Sequence, residues 1–539
     1  MFRRRCRTCT ASTSCAAFLA SVLALFALPT GSSNWQTQLT NDIEEIRRNA
    51  NLPSIGFALV IGNTPVLTAA VGRSNIAETI SATADTPYLM ASVSKTFVAT
   101  ALMQMIDTAS TTSGMSSLSI NINDPVNKHL PWKLDNPLIV GRINDAGDKK
   151  VIRISHLVSH TSGIRGRWIW GNEPGKPDSL YFPGDSPITL DEMMRGYFLP
   201  GGRWYNARGN FQPNRPGKNY QYANFNADLV GYLVETVTGI QLRDYSRMRL
   251  FEPLGMTNSG WRLADFANQS LIAMPYAQQG KAEVYVCPVG ERLLSGRRFV
   301  RERRRNTVIH DVPIRKGVLL PEEGILSPSC YPQPKSMSLL GRNFRAVYKI
   351  DGKKQHPRPY GQFGYPDYPC GMLRSSPADV AEYMAVMLGG GRSRHGIRIL
   401  RTSSVDQSFA DVFKESHPNQ GVFWYSRGER FFGEPNIGHS GYDYGAATEM
   451  WLLLNSRVGV AVMINQDGDA AEAAMPKVLR LLVAAGRQVA LTMGACCHPD
   501  GTCSTRTQEE CNAQNGRYQG NRTDCRSTAC PMTTQAASF

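Results

Sequence analysis

The sequence predicts an α/β protein: an antiparallel sheet flanked by helices, a helical lobe, and a small disulfide-rich module at the C-terminus. Three observations predict it. Apolar hairpin patterns stand near both ends of a long helical, loop-rich middle. The middle carries strong helical periodicity. Six of the twelve cysteines, Cys496, Cys497, Cys503, Cys511, Cys525 and Cys530, crowd into the last fifty residues.

The chain begins "MFRRRCRTCTASTSCAAFLASVLALFALPTGSS". Four arginines precede an apolar run of thirteen, Ala16 to Leu28, and small residues follow. A bilayer span needs about 20 apolar residues, so residues 1–33 read as a secretory signal removed on export. An uncleaved anchor is the alternative. No other segment is apolar enough for a span, and the mature chain is expected outside the cytoplasm, secreted or periplasmic. Cys6, Cys9 and Cys15 would leave with the signal.

"NWQTQLTNDIEEIRRNANL" then reads as a helix. "SIGFALVIG" and "PVLTAAVG" read as strands joined at Gly62-Asn63, a hairpin signal. Near the far end, "ATEMWLLL" and "VGVAVMINQ" form a second hairpin around Asn455-Ser456-Arg457. "AAEAAMPKVLRLLVAAG" closes the body as an amphipathic helix. Elements of one kind at both ends imply one sheet built from both ends of the chain. Residues 37–490 make the body. Irregular stretches at 141–150, 165–218 and 281–358 interrupt it, rich in Gly, Pro, Asn and charge. Loops this long in a compact domain are usually functional or disordered.

From Gly494 the composition turns polar and dense in cysteine and glycine. Residues 494–531 are too few for an apolar core of their own, so disulfides must hold them. Six cysteines give three bridges in fifteen connectivities. Cys496 and Cys497 should take different partners, because a vicinal bridge is strained. Zinc on Cys497 and His498 is the rival reading, but paired C-x₂-C spacing is missing. Cys287, Cys330 and Cys370 in the body are odd in number, so one stays free or pairing crosses into the tail.

Net charge is +15 and the isoelectric point about 9.3. That favours acidic partners, but much of the excess is local. Arg292 to Arg305 holds seven arginines against one glutamate. It lacks the interleaved aromatics of a nucleic-acid platform, so nucleic acid is not the expected partner. A solvated loop is the first reading of this run, and a docking patch for an acidic polymer the second.

"YLMASVSKTFVATALMQMID" repeats apolar residues at Val93, Phe97, Ala101 and Met105, and at Val98, Leu102 and Ile106. Both rows have helical spacing, so this helix is buried. Lys95 lies three residues after Ser92, on the same face. A buried lysine resists protonation and can serve as a base. A serine at a helix start also sits where the dipole favours a developing anion. An ordinary N-cap fits these residues equally well. Further along, Tyr222-Ala223-Asn224 precedes a strong amphipathic helix. His439-Ser440-Gly441 leads into the C-terminal hairpin, where a glycine lets a substrate lie against the strand. His156 and His160 stand at metal-ligand spacing, but no His-Glu-x-x-His accompanies them, and no metal or other cofactor is expected.

Ser92-Val93-Ser94-Lys95, Tyr222-Ala223-Asn224 and His439-Ser440-Gly441 stand in the order of the three motifs of penicillin-recognising serine hydrolases. The chain resembles the β-lactamase-related branch that holds class C β-lactamases, D-aminopeptidases, D-alanyl-D-alanine carboxypeptidases and esterases. "DPVNKHLP", "IRISHLVSHTSGI", "FEPLGMTNSGW" and "GMLRSSPADVAEYM" support the resemblance, which covers about residues 37–490.

The resemblance implies the β-lactamase/transpeptidase-like fold and acyl transfer. Ser92 would form an acyl-enzyme, with Lys95 and Tyr222 handling its proton in acylation and deacylation. No Glu-x-x-Leu-Asn motif offers a separate base. Which of the two is the base is a coupled titration that sequence leaves open. Asn224 would bridge Lys95 and the substrate carbonyl. The N–H groups of Ser92 and Tyr442 would form the oxyanion hole, with Ser440 and Gly441 lining the strand beside it. "SHLVSHTSG" becomes a structural segment beneath the site. Cys370 stands where relatives usually carry glycine, a place from which it would tie an insertion to the body.

His439 replaces the lysine that β-lactamases of this branch carry there. An unperturbed histidine titrates near 6.5, so it is expected to hold a substrate carboxylate only as pH falls. Small D-amino-acid peptides or esters are therefore the expected substrates, ahead of β-lactams. Arginines from the insertions are the alternative carboxylate holders. A catalytically inactive protein on the same fold, acting as a binding module, is the alternative function. Against it, every motif residue is present.

Overall fold

Alternation along the first strand sets the architecture. The structure is a computed structural model. It describes residues 34–109, 120–139, 150–166, 179–278, 357–414 and 417–532, positions 169, 171 and 174, and the backbone of four short strands between 283 and 349. β1 (Ser54–Ile61) is buried along its whole length. Side chains alternate across a strand. Ile55, Phe57, Leu59 and Ile61 enter one apolar cluster, while Ala58 and Val60 enter the other. A strand covered on both faces reads as the continuous apolar run "SIGFALVI".

β2 (Thr64–Asn75) folds back on β1 through the turn at Gly62-Asn63, and β3 (Ile80–Ser81) follows. From the other end of the chain come β4 (Asn436–Asp443), β5 (Ala446–Leu453) and β6 (Val458–Ile464). The six strands form one antiparallel sheet in the order β4-β5-β6-β1-β2-β3. The seam between the chain's two ends is β1 on β6, with Ile55 opposite Ile464.

α1 (Asn34–Asn49) and α5 (Asp469–Ala490) cover one face through Leu39, Ile43, Val478 and Leu482. The other face is covered by α4 (Pro377–Leu388) and, beyond it, by the lobe built on α2 (Ser94–Ala109) and α3 (Asn224–Thr238). The predicted fold class is therefore the observed one.

Part of the stretch 165–218 is regular structure. Leu190–Phe198 is a helix started by a Thr189–Glu192 capping box, and it buries Met193, Met194, Tyr197 and Phe198 in the core. The prolines and glycines on either side, Pro183, Gly184, Pro187, Pro200, Gly201 and Gly202, hid a short apolar face. The signal region, the basic run 292–305, Trp168 and Trp170, and the side chains of Cys287 and Cys330 lie outside the described residues, as do most of 141–150 and 281–358. Among the described residues, no helix is long and apolar enough to cross a membrane.

The tail is a three-stranded sheet, β7 (Met493–Cys497) between β8 (Cys503–Thr507) and β9 (Arg517–Tyr518), with one short helix, Gln508–Ala513. Three bridges tie it: Cys496–Cys511, Cys497–Cys530 and Cys503–Cys525. The adjacent cysteines take different partners, as expected. Zinc at Cys497 and His498 is ruled out by the chemistry of the donors: Cys497 is spent in a disulfide, and His498 Nε2 meets Ser504 Oγ at 2.7 Å.

The tail also docks on the body. Thr505 donates from N–H and Oγ1 to Asn63 Oδ1 at 3.0 and 3.1 Å, and Asn63 Nδ2 donates to the Cys503 carbonyl at 2.7 Å. Arg457 pairs with Asp524 at 3.1 Å, and Arg526 pairs with Asp406. Deleting Gly494 to Phe539 uncovers the buried Asn63 and Thr64. Such a truncation is expected to melt lower, by roughly 2–4 °C per kcal/mol lost. Turnover of a small ester at 25 °C should stay within a few-fold of the full chain. A folded truncation without turnover would show that the tail supports catalysis directly.

Candidate active site

Met90 anchors the turn that presents the serine. Its N–H donates to the Leu373 carbonyl at 2.8 Å, and its own carbonyl accepts from Thr448 Oγ1 on β5 at 2.7 Å. Ala91 follows at φ +46°, a left-handed conformation that costs a non-glycine residue about 1–2 kcal/mol. A single 3₁₀ turn, Ala91–Val93, then runs into α2. Ser92 therefore stands just ahead of the helix and aims away from its first N–H groups. Its hydroxyl takes bonds from Lys95 Nζ at 2.9 Å and from Tyr222 OH at 2.9 Å, which decides against the N-cap reading.

Lys95 is fully buried, one turn along the same face. Its second bond goes to the Cys370 carbonyl at 2.7 Å. Burial alone pulls a lysine down. The Tyr222 phenol, the Cys370 thiol and the Asp228 carboxyl around it outweigh burial, and the net displacement is upward. This corrects the expectation that burial leaves Lys95 reluctant to hold its proton: the neighbours favour the ammonium.

Tyr222 lies on the loop before α3, 39% exposed, with its ring packed on His160 at 4.5 Å between centroids. Lys95 Nζ sits 5.1 Å from that ring's centre. Asn224 is the first residue of α3. The expected bridge to Lys95 is not formed, because the lysine's hydrogen bonds go to Ser92 and Cys370. Asn224 Oδ1 is buried and accepts no hydrogen bond among the described residues.

β4 runs past the nucleophile. A Cβ on Gly441 would lie 2.5 Å from the Met90 carbonyl and 2.9 Å from Ser92 N, so only a glycine lets the strand approach this closely. Ser440 Oγ meets Tyr425 OH at 2.7 Å, and Tyr442 is 47% exposed at the mouth.

His439 is buried. Its Nδ1–H donates to the Ser440 carbonyl at 2.6 Å, which leaves Nε2 as an acceptor. Burial first, and then the Lys95 charge, lower it to about 3. The expected growth of carboxylate binding between pH 8 and 5.5 is therefore corrected: this imidazole stays neutral across that range.

His156 and His160 do not share a helix face. α-Helical structure ends at Val158, and His160 takes φ +56°. His156 Nδ1 accepts from the Arg153 N–H at 3.0 Å; His160 Nδ1 meets Asn226 Nδ2 at 3.1 Å. The segment sits under Tyr222, as the resemblance implied. Cys370 is a free, buried thiol, so it ties no insertion to the body. What matters here is its backbone carbonyl, which no side-chain pattern announces. Asp228, behind Lys95, carried one signal: an acid at the start of the apolar run of α3, among buried neighbours.

The motif residues line a cavity of about 600 Å³ that includes Ser92, Tyr220, Tyr222, Tyr425, His439 and Tyr442. Among the described residues, no lysine or arginine lines it. Arg427, the nearest candidate on the loop before β4, is committed to Glu449 at 2.8 Å and to the Trp451 ring.

A hydroxyl held between a lysine and a tyrosine, beside a glycine strand of an antiparallel sheet, defines the class of penicillin-recognising serine hydrolases. The chain belongs to the beta-lactamase family, whose model matches residues 39–485. It is 24% identical over 253 residues to "Protein flp" of Staphylococcus aureus (strain COL), which covers 47% of this chain and 43% of that protein. The chain thus spans less than half the length of the curated relatives it matches. Its fold is similar to an octameric penicillin-binding protein homologue from Pyrococcus abyssi, with TM-score 0.53, 21% identity, and 83% of this chain and 77% of that one covered. It is also similar to D-amino acid amidase from Ochrobactrum anthropi SV3, with TM-score 0.51, 16% identity, and 83% and 99% covered.

Proposed function

We propose that this chain is an exported serine hydrolase that works through a Ser92 acyl-enzyme on small amides or esters. The observation that carries it is the Ser92 hydroxyl at 2.9 Å from both Lys95 Nζ and Tyr222 OH on the wall of an open cavity. In the form of the Lys95–Tyr222 pair that has lost one proton, one of the two accepts instead of donating: Ser92 Oγ attacks the carbonyl carbon and its proton passes to that partner. The N–H groups of Ser92 and Tyr442 hold the oxyanion. The carbonyl-to-leaving-group bond then breaks, and the leaving group departs with that proton. Water repeats the sequence on the acyl-serine, and Ser92 regains its hydrogen. Asn224 Oδ1, buried and without a partner among the described residues, would take an N–H of the substrate once its side chain turns toward the cavity. Three disulfides in the tail support an oxidising compartment.

The neutral His439 and the absence of a cation among the described lining residues support uncharged substrates, D-amino-acid amides or esters, over carboxylate-bearing β-lactams. A buried ammonium in place of His439 would restore a charged hydrogen bond of about 1.5–3 kcal/mol, a roughly ten- to hundred-fold gain in carboxylate binding. Wild-type cephalosporin turnover is expected to be weak and flat in its carboxylate preference from pH 5.5 to 8, because His439 titrates at about 3. His439→Lys is expected to raise it. A panel of D-amino-acid amides, neutral esters and a chromogenic cephalosporin measures both. Efficient cephalosporin hydrolysis by the wild type would overturn the substrate reading.

A further inference from the structure

Behind Lys95 lies a buried acidic cluster that the acyl-transfer reading leaves unused. Asp228 on α3, and Asp367 and Cys370 on the turn before Gly371, bring ligand-type atoms within 4.8 Å of one another, all buried. Asp228 Oδ1 accepts the Cys370 N–H at 2.9 Å, and the carbonyl of the same residue accepts Lys95 Nζ at 2.7 Å. Asp228 Oδ2 is buried with no hydrogen-bond partner among the described residues.

We propose that Asp228 is a positioning residue for the Lys95–Tyr222 pair, acting through the backbone of Cys370, whose N–H and C=O belong to the two successive peptide groups on either side of its Cα. The inference rests on the Ser92 reading above. One residue's N–H is fixed by a carboxylate and its C=O receives the lysine, so the carboxylate orients the acceptor that holds the lysine beneath Ser92. Removing it leaves the buried Cys370 N–H with only a long bond of 3.4 Å to the Asp367 carbonyl, and the Cys370 carbonyl freer to tilt.

The carboxyl also sets the field at Lys95. Burial, then Asp367, push Asp228 well above the carboxylate range, while the Lys95 charge opposes them. The groups facing this cluster are Lys95 from α2, Asp367 and Cys370 from the turn, Asp443 from β4, and Tyr365. As pH rises, ionisation of Asp228 places a negative charge behind the ammonium and holds its proton. Lys95 therefore gives up its proton later. A neutral residue at 228 removes that charge and lets Lys95 give up its proton at lower pH.

The experiment follows acylation of the full chain by a fluorophosphonate or a neutral ester from pH 5 to 10, with melting curves for each variant. Asp228→Asn keeps an acceptor for the Cys370 N–H and removes the charge. Its acid limb is expected to move down by about one pH unit, the usual size for a nearby charge. Asp228→Leu removes acceptor and charge, and its plateau is expected to fall roughly ten- to hundred-fold. Asp228→Ser, smaller and still an acceptor, reads the same limb shift if the asparagine variant does not fold. An acid limb in Asp228→Asn or Asp228→Ser that coincides with wild type overturns the proposal, as does a wild-type plateau in Asp228→Leu. A wild type that is never labelled at Ser92 overturns the reading of the site instead, so the two failures are distinct.

Discussion

Replacing Ser92 with alanine is expected to abolish labelling of the intact protein by a fluorophosphonate, and the wild type is expected to take one label per chain. The expectation follows from the two donors converging on one hydroxyl at 2.9 Å. Among the described residues, no other serine has both a buried lysine and a tyrosine on its oxygen. Lys95→Ala and Tyr222→Phe keep the nucleophile but remove proton handling. Each is expected to lower the acylation rate by a factor on the order of 10²–10⁴. Intact-mass spectrometry gives the stoichiometry and stopped-time labelling gives the rates. Labelling that persists in Ser92→Ala would overturn the assignment. Full-rate labelling in both other variants would leave the hydroxyl without a proton acceptor and would overturn the mechanism. The same probe separates the hydrolase from an inactive binding module, which would take no label.

Gly441→Ala is expected to lower acylation by a factor on the order of 10²–10³, the worth of an oxyanion donor. Its Cβ would meet the Met90 carbonyl at 2.5 Å, Thr448 Oγ1 at 2.5 Å and Ser92 N at 2.9 Å. Two of those three atoms are backbone, so relief comes from β4 moving outward. β4 is the edge strand of the sheet, so it can move without dismantling the core, and the melting temperature should change little. An outward shift carries the Tyr442 N–H away from Ser92 and opens the oxyanion hole. Acylation at the wild-type rate in a folded Gly441→Ala would show that the strand does not shape the hole.

The sheet was legible because its strands carry their own evidence. "SIGFALVI" and "VGVAVMI" are apolar on both faces, and Gly62-Asn63 is a turn that only one kind of pairing accommodates. The tail's reliance on disulfides followed from composition alone, since residues 494–531, mostly polar and glycine-rich, bury too little to hold themselves. Helix Leu190–Phe198 was not legible, because one short apolar face among glycines and prolines has no period long enough to read.

In the site, the order of the three motifs determined which side chains matter: Ser92, Lys95 and Tyr222 are brought together as the residue types and spacing required. Their charge states were decided only by the tertiary structure. A lysine's proton affinity depends on what surrounds it in space. Here those neighbours come from residues 222, 228 and 370, and they reverse the sign that burial alone implied. His439 shows the same limit in the other direction: its residue type promised titration near neutrality, and its burial beside Lys95 takes that away. Sequence determined the inventory of groups and the strands that carry them. The fold alone decided the distances and the dielectric between them, because both depend on contacts between residues hundreds of positions apart.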